Sequence, residues 1–276
     1  MILCADDFGL APGVSRAIVE LLAAGRLTAT SCMSLSPHWR VHAGWLAPHR
    51  ERADIGLHMT LTDQEPLGPM PHLAPAGRLP TLGRLMALAW TGRLDASEIE
   101  AEIERQVDAF TAALGSPPDF IDGHQHVHQF PVVRRALVDV LARRPDLARC
   151  WLRLTRDSPI EIIRRRSAIV KTLFLHGLAG ELSQRIGTRP VNRAFRGVRR
   201  FTPGEDFERL FAGFVARPVA RTLVMCHPGI VDAELTRVDG LTTPREAELR
   251  YLAGPDMLPA LARAGARLAR FGDESA

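Results

Sequence analysis

The sequence predicts an α/β protein built as a closed or nearly closed barrel of parallel strands, and three observations predict it. Short apolar runs alternate with amphipathic helical patterns, as a parallel sheet requires. Roughly six to eight such units fit a chain of 276 residues, which suits a barrel. The polar residues that stand out follow directly after the apolar runs, where a parallel barrel has one common rim.

Residues 2–5 form an apolar run that reads as a buried strand. Pro12 opens a helical pattern with Val14, Ala17, Ile18, Leu21 and Leu22 on one face, and Gly25 ends it. Residues 28–34 read as a second strand, 40–49 as a short helix and 54–60 as a third strand. A Pro/Gly-rich loop follows over residues 63–80, long enough to suggest function or disorder. Asp95 or Ser97 starts a helix on which Ile99, Ile103, Val107, Phe110 and Leu114 recur, and Gly115 stops it. Phe120 and Ile121 lead into a histidine cluster, and Pro131 starts a helix reaching residue 142. Residues 150–154 read as a strand, 160–186 as helices with basic faces and 187–203 as an Arg-rich loop. A helix over 205–216 precedes a strong strand over 222–226. Helical segments near 244–252 and 257–265, a short strand near 267–270 and a tail over 273–276 complete the chain. No linker or repeat divides it, so a single domain over residues 1–276 is expected.

Hydrophobic residues make up 46% and charged residues 24%, an ordinary balance for a soluble globular protein. No apolar run is long enough to span a bilayer, and the start of the chain lacks the pattern of a secretory signal. A cytoplasmic location is expected, with a homodimer as a candidate assembly. The net charge is +4 and nearly every basic residue is Arg, with clusters at Arg164–Arg165–Arg166 and at Arg196, Arg199 and Arg200. Such clusters can hold phosphate or nucleic acid. No zinc-finger, RRM or helix-turn-helix pattern accompanies them, so no nucleic-acid partner is expected. Cys4, Cys32, Cys150 and Cys226 are scattered without a CxxC pair, which argues against a zinc knuckle or redox dithiol.

Four segments carry candidate chemistry. Asp6 and Asp7 follow the first strand; two carboxylates beside a cation can divide the work of ligand and general base, although Asp is also a common helix cap. His58 ends the third strand. In Asp122-Gly123-His124-Gln125-His126-Val127-His128 the alternating histidines would share one face of an extended backbone, and imidazole is the commonest metal ligand. Not all three need be ligands. Cys226-His227-Pro228-Gly229 puts a His at a strand end before a sharp turn. No GxSxG, GxxxxGK[ST] or HExxH motif occurs.

Together these segments resemble the YdjC/ChbG/HpnK family of carbohydrate deacetylases. Ala5-Asp6-Asp7-Phe8-Gly9 resembles its opening motif, Gly56-Leu57-His58-Met59-Thr60-Leu61-Thr62 its second, residues 122–128 its D-S-H-x-H-V-H signature and residues 226–229 its CHPG. Gly123 stands where Ser is usual and Gln125 where His is frequent. The resemblance implies a distorted (β/α) barrel of the polysaccharide-deacetylase type. It implies one divalent metal ion, Mg²⁺ or Zn²⁺ with identity open, held by Asp7, His58 and His124. Asp6 would be the general base. His227 is the candidate acid for the leaving amine. Arg153 is expected to orient Asp6 or to bind sugar oxygens, and His126 and His128 to contact substrate. The implied substrate is an N-acetylated sugar, in an oligosaccharide or a glycolipid. Two alternatives are a barrel phosphoesterase, with the Arg-rich segment clamping phosphate, and an inactive carbohydrate-binding protein.

Overall fold

The computed structural model describes residues 1–202 and 204–275. Pro203, in the expected Arg-rich loop, and Ala276, in the expected tail, lie outside them. The chain alternates strand and helix: β1 (Ile2–Phe8), α1 (Pro12–Ala23), β2 (Ala29–Cys32), α2 (Trp39–His42), β3 (Asp54–Met59), α3 (Leu82–Trp90), α4 (Ala96–Leu114), β4 (Phe120–Gly123) and α5 (Val133–Arg143). It continues with β5 (Trp151–Leu152), α6 (Pro159–Arg165), α7 (Ile169–Ser183), β6 (Ala194–Arg196), α8 (Phe207–Val215), β7 (Thr222–Cys226), α9 (Ala233–Val238), α10 (Thr243–Ala253) and α11 (Met257–Arg263).

The strands form one parallel sheet in the order β5-β4-β3-β2-β1-β7-β6. Its two edges meet. Leu152 and Val191 form an isolated parallel bridge, and the Asn192 amide accepts from Leu154 N at 2.7 Å and donates to Leu154 O at 2.8 Å. A side chain thus finishes what a full strand pairing does elsewhere, and the result is a distorted barrel.

Period-two alternation assigns the two faces of the sheet. Leu3, Ala5, Ile55, Leu57, Ile121, Leu152 and Val224 pack outward in the large core shared with the helices. Ile2, Cys4, Ala29, Phe120, Trp151, Phe195, Leu223 and Met225 fill the interior. Gly56 is needed beside this filling, because a Cβ there would lie 2.4 Å from three atoms of the Phe120 ring.

Several expectations change. Residues 63–80 are neither loose nor part of the cleft described below. They pack on α4, whose Glu102 accepts from Leu67 N and whose Glu98 accepts from His72 N and Leu73 N. A short strand, β6, lies inside the stretch expected to be loop; three residues among arginines are too few to show a period. The expected strand near 267–270 does not form. Its backbone instead ties down the N-terminus, through Ala269 N to Met1 O and Met1 N to Arg267 O, each at 2.9 Å. The helices α3 and α9 were not anticipated.

Candidate active site

The polar layer at the barrel mouth continues the interior phase of the strands. Asp6 follows Ile2 and Cys4, His58 follows Gly56, Asp122 follows Phe120, Arg153 follows Trp151 and His227 follows Leu223 and Met225, each at even spacing. Asp7 breaks this rule. Its φ is +71°, and the β1–β2 register shifts between Ala5 and Phe8. That bulge turns the second carboxylate back over the mouth instead of into the outer core. Neither aspartate caps α1, whose N-cap is Ala11 with no side-chain bond.

Asp7, His58 and His124 each offer a ligand atom, and these atoms lie within 4.8 Å of one another. Asp7 Oδ1 is 3.3 Å from His58 Nε2 and 3.1 Å from His124 Nδ1. Behind the ring, His58 Nδ1 pairs with Asp122 Oδ1 at 2.6 Å, and Ser31 Oγ donates to the same oxygen at 2.5 Å. A carboxylate behind an imidazole fixes which nitrogen faces forward, as it does in metal sites. One carboxylate and two imidazoles, with one imidazole held from behind, fit a divalent cation and leave coordination positions open.

Burial raises the Asp7 pKa, but the Arg245 guanidinium and the two imidazoles outweigh it and hold the carboxyl well below its usual range. Burial likewise opposes charge on His58, yet Asp122, with hydrogen bonds to Asp122 and Asp7, raises it to about 10.

Asp6 faces the same mouth. Arg153 grips it through two bonds of 2.7 Å each and reaches Asp122 Oδ2 at 2.7 Å. His227 Nε2 stands 4.0 Å from Asp6 Oδ2. Burial lowers the His227 pKa despite the nearby Asp7, Asp6 and Glu248 carboxylates. Its backbone N donates to Glu248 at 2.5 Å, and Glu248 in turn pairs with Arg199 at 2.6 Å.

These groups border a cleft of about 550 Å³. Asp6, Asp7, His58, His124, His126 and His227 all line it, so six of the expected residues come together. Arg153 and His128 do not. Both are fully buried, and His128 Nε2 bonds to the Arg153 carbonyl at 2.9 Å. Neither lines the cleft. Of the two roles expected for Arg153, the geometry is that of orienting Asp6. Nor do the three histidines share a face. Residues His124–Gln129 form a 3-10 turn with left-handed backbone at Gln125 (φ 53°) and His126 (φ 62°). The turn sends His124 to Asp7, His126 against Phe195 and His128 inward.

Sequence reasoning missed Arg245, Asp239 and Glu248. Arg245 Nη2 lies 2.6 Å from Asp7 Oδ2 and 2.6 Å from Asp239 Oδ2, and is buried beneath the cleft. All come from a polar region around α10 without periodicity, where nothing singles out an arginine among arginines. Asp122 was inside a recognised motif; its even spacing from Phe120 was the available signal for its role behind His58.

A family model described as YdjC-like protein matches residues 1–263. The chain belongs to the YdjC-like family. Chitooligosaccharide deacetylases of Yersinia pestis (strain Pestoides F) and Yersinia pseudotuberculosis serotype O:1b (strain IP 31758) are each 33% identical to it over 274 residues, covering 99% of this chain and 98% of the relative. A crystal structure from Enterococcus faecalis V583, of a protein described as a candidate cellobiose-phosphate cleavage protein, superposes with a TM-score of 0.77 at 20% identity over 99% of this chain and 97% of that one. That likeness gives the fold. Among the described residues, no helix of this YdjC-like chain is long and apolar enough to cross a membrane.

Proposed function

We propose that this chain, acting as a single catalytic domain, is a metal-dependent hydrolase that removes the acetyl group from an N-acetylated sugar. The observation that carries the reading is the meeting of Asp7, His58 and His124 in one cleft, with a second carboxylate, Asp6, beside them. The names of the Yersinia relatives support the substrate class.

A divalent cation bound by Asp7, His58 and His124 would supply Lewis acidity, polarising the acetyl carbonyl and acidifying a water. Asp6 takes the proton from the attacking water. Its two bonds to Arg153 fix the direction of its free lone pairs. The C–N bond breaks, acetate keeps the new oxygen, and the nitrogen leaves as an amine once protonated. His227 is the proton donor. It lines the same cleft as the ligand set, and burial lowers its pKa, so its protonated form gives up a proton more readily than an ordinary imidazolium. Asp6 Oδ2 stands 4.0 Å away, so the proton it takes from the water has a short path to His227.

The test is acetate release from N-acetylglucosamine oligomers by the purified protein, with and without a chelator. Turnover that chelation abolishes and Zn²⁺ or Mg²⁺ restores is expected. Phosphate release from generic esters without acetate release would favour a phosphoesterase instead.

A further inference from the structure

Of the Arg-rich stretch that starts at α6, Arg199 reaches the site through Glu248, while Arg166 and Arg200 border a second groove. This groove, of about 850 Å³, is lined by Met86, Ala168, Ile169, Val170 and Phe174 together with Arg166, Lys171 and Arg200. Three of these residues, Met86, Lys171 and Phe174, also line the catalytic cleft, so the two spaces adjoin. The walls are apolar where a soluble surface is usually polar. Val170 is 84% exposed, Phe174 45% and nearby Trp90 45%. Trp90 stacks on Phe174 at 5.9 Å and meets Phe130 of the cleft edge-on at 5.1 Å. An aromatic path thus runs from the cleft to the outside. The three cations form no ion pair with a carboxylate among the described residues; Lys171 lies over the Phe201 ring, at 5.8 Å.

We infer that the groove holds the carrier of the substrate, an apolar chain joined to the acetylated sugar through a phosphate. The inference rests on the proposed deacetylase reading and narrows its substrate class. With the sugar at the ligand set, the linker would lie at the junction, where Lys171 faces both spaces. The chain would continue past Phe174 and Val170. Charge matching decides for an anionic linker over a neutral one: unpaired cations beside an apolar wall suit a phosphate bearing an alkyl chain. A contiguous apolar patch of this kind on a soluble protein marks a binding surface.

Two measurements test this. The first needs no turnover: titration calorimetry with dodecyl phosphate below its micelle concentration, on wild type and on Val170→Asp and Arg166→Ala/Arg200→Ala variants. Wild type should bind at least about tenfold more tightly than either variant, and more tightly than it binds inorganic phosphate or a neutral dodecyl glycoside, since apolar burial and charge both contribute. Bound dodecyl phosphate should also protect Lys171, the chain's single lysine, from acylation as read by mass spectrometry. The second compares deacetylation of chitobiose with that of N-acetylglucosamine linked by a phosphodiester to a dodecyl chain. The amphiphile should show the lower KM, and the advantage should vanish in the variants. Equal binding by wild type and variants overturns the inference. So does binding to anionic vesicles, or a dimer that covers the patch, without uptake of monomeric dodecyl phosphate. Dodecyl phosphate binding with no acetate released from any sugar would keep the groove and sink the deacetylase reading instead.

Discussion

At the residue scale, the proposed division of labour rests on two adjacent carboxylates held differently. Asp7 gives one oxygen toward two imidazoles and the other to Arg245. Asp6 gives both to Arg153. An Asp6→Asn variant keeps the shape and removes the base. It should lose about 10²–10⁴ in kcat while its metal content stays that of wild type. Unchanged turnover would remove Asp6 from the mechanism. His58→Ala should instead lose the metal itself, measured by equilibrium dialysis. Arg153 makes a separate prediction. It is buried between Asp6 and Asp122, with the rings of Phe120 and Phe195 each 5.9 Å from its guanidinium carbon. Arg153→Met would leave Asp6 without its guanidinium partner and Asp122 with only His58 and Ser31, and breaking a buried pair in this way costs about 3–5 kcal/mol. A urea midpoint within error of wild type would show that the charge is compensated elsewhere.

At the element scale, short pieces of backbone decide where the site residues point. β1 carries two carboxylates to one place only because Asp7 sits at a bulge with positive φ. β4 delivers Asp122 by simple alternation, whereas the following 3-10 turn scatters the three histidines. The sequence made the first kind of information legible: apolar runs, their order, and the polar residues at their ends. It did not show the second. An alternating His-x-His-x-His is compatible with an extended strand, and the left-handed Gln125 and His126 arise from tertiary constraints that a local pattern does not encode. β3 offers a test of the packing below the site. Gly56→Ala would push a methyl into the Phe120 ring, and overpacking of this kind costs about 1–3 kcal/mol. Since His58 lies two residues along the same face, metal affinity should fall together with the thermal midpoint. A fall in stability with no change in affinity would mean that β3 and His58 relax independently.

At the scale of the whole molecule, the site depends on how the barrel closes. Apolar layers fill the interior beneath the mouth, so each charge of the ionic layer needs a partner within the layer. Asp6–Arg153–Asp122–His58 is that chain of partners, and it crosses the barrel from β1 to β5 and back through β4 to β3. Arg153 stands immediately beside the seam, between Leu152, which bridges to Val191, and Leu154, which both accepts from and donates to the Asn192 amide. The seam therefore sets the position of the arginine in that chain. Asn192 is fully buried, and Asn192→Ala would strip hydrogen bonds from the N–H and C=O of Leu154 and from the Ala194 carbonyl. Each buried group left unsatisfied costs about 1–3 kcal/mol. The loss should appear as a lower thermal midpoint. It should also appear in catalysis, because Arg153 and through it Asp6 lose a fixed reference: kcat should drop more than KM rises. Asp6→Asn in the same background should then cost less than it does alone, since the two changes act on one path. Fully additive effects would separate barrel closure from the positioning of the base.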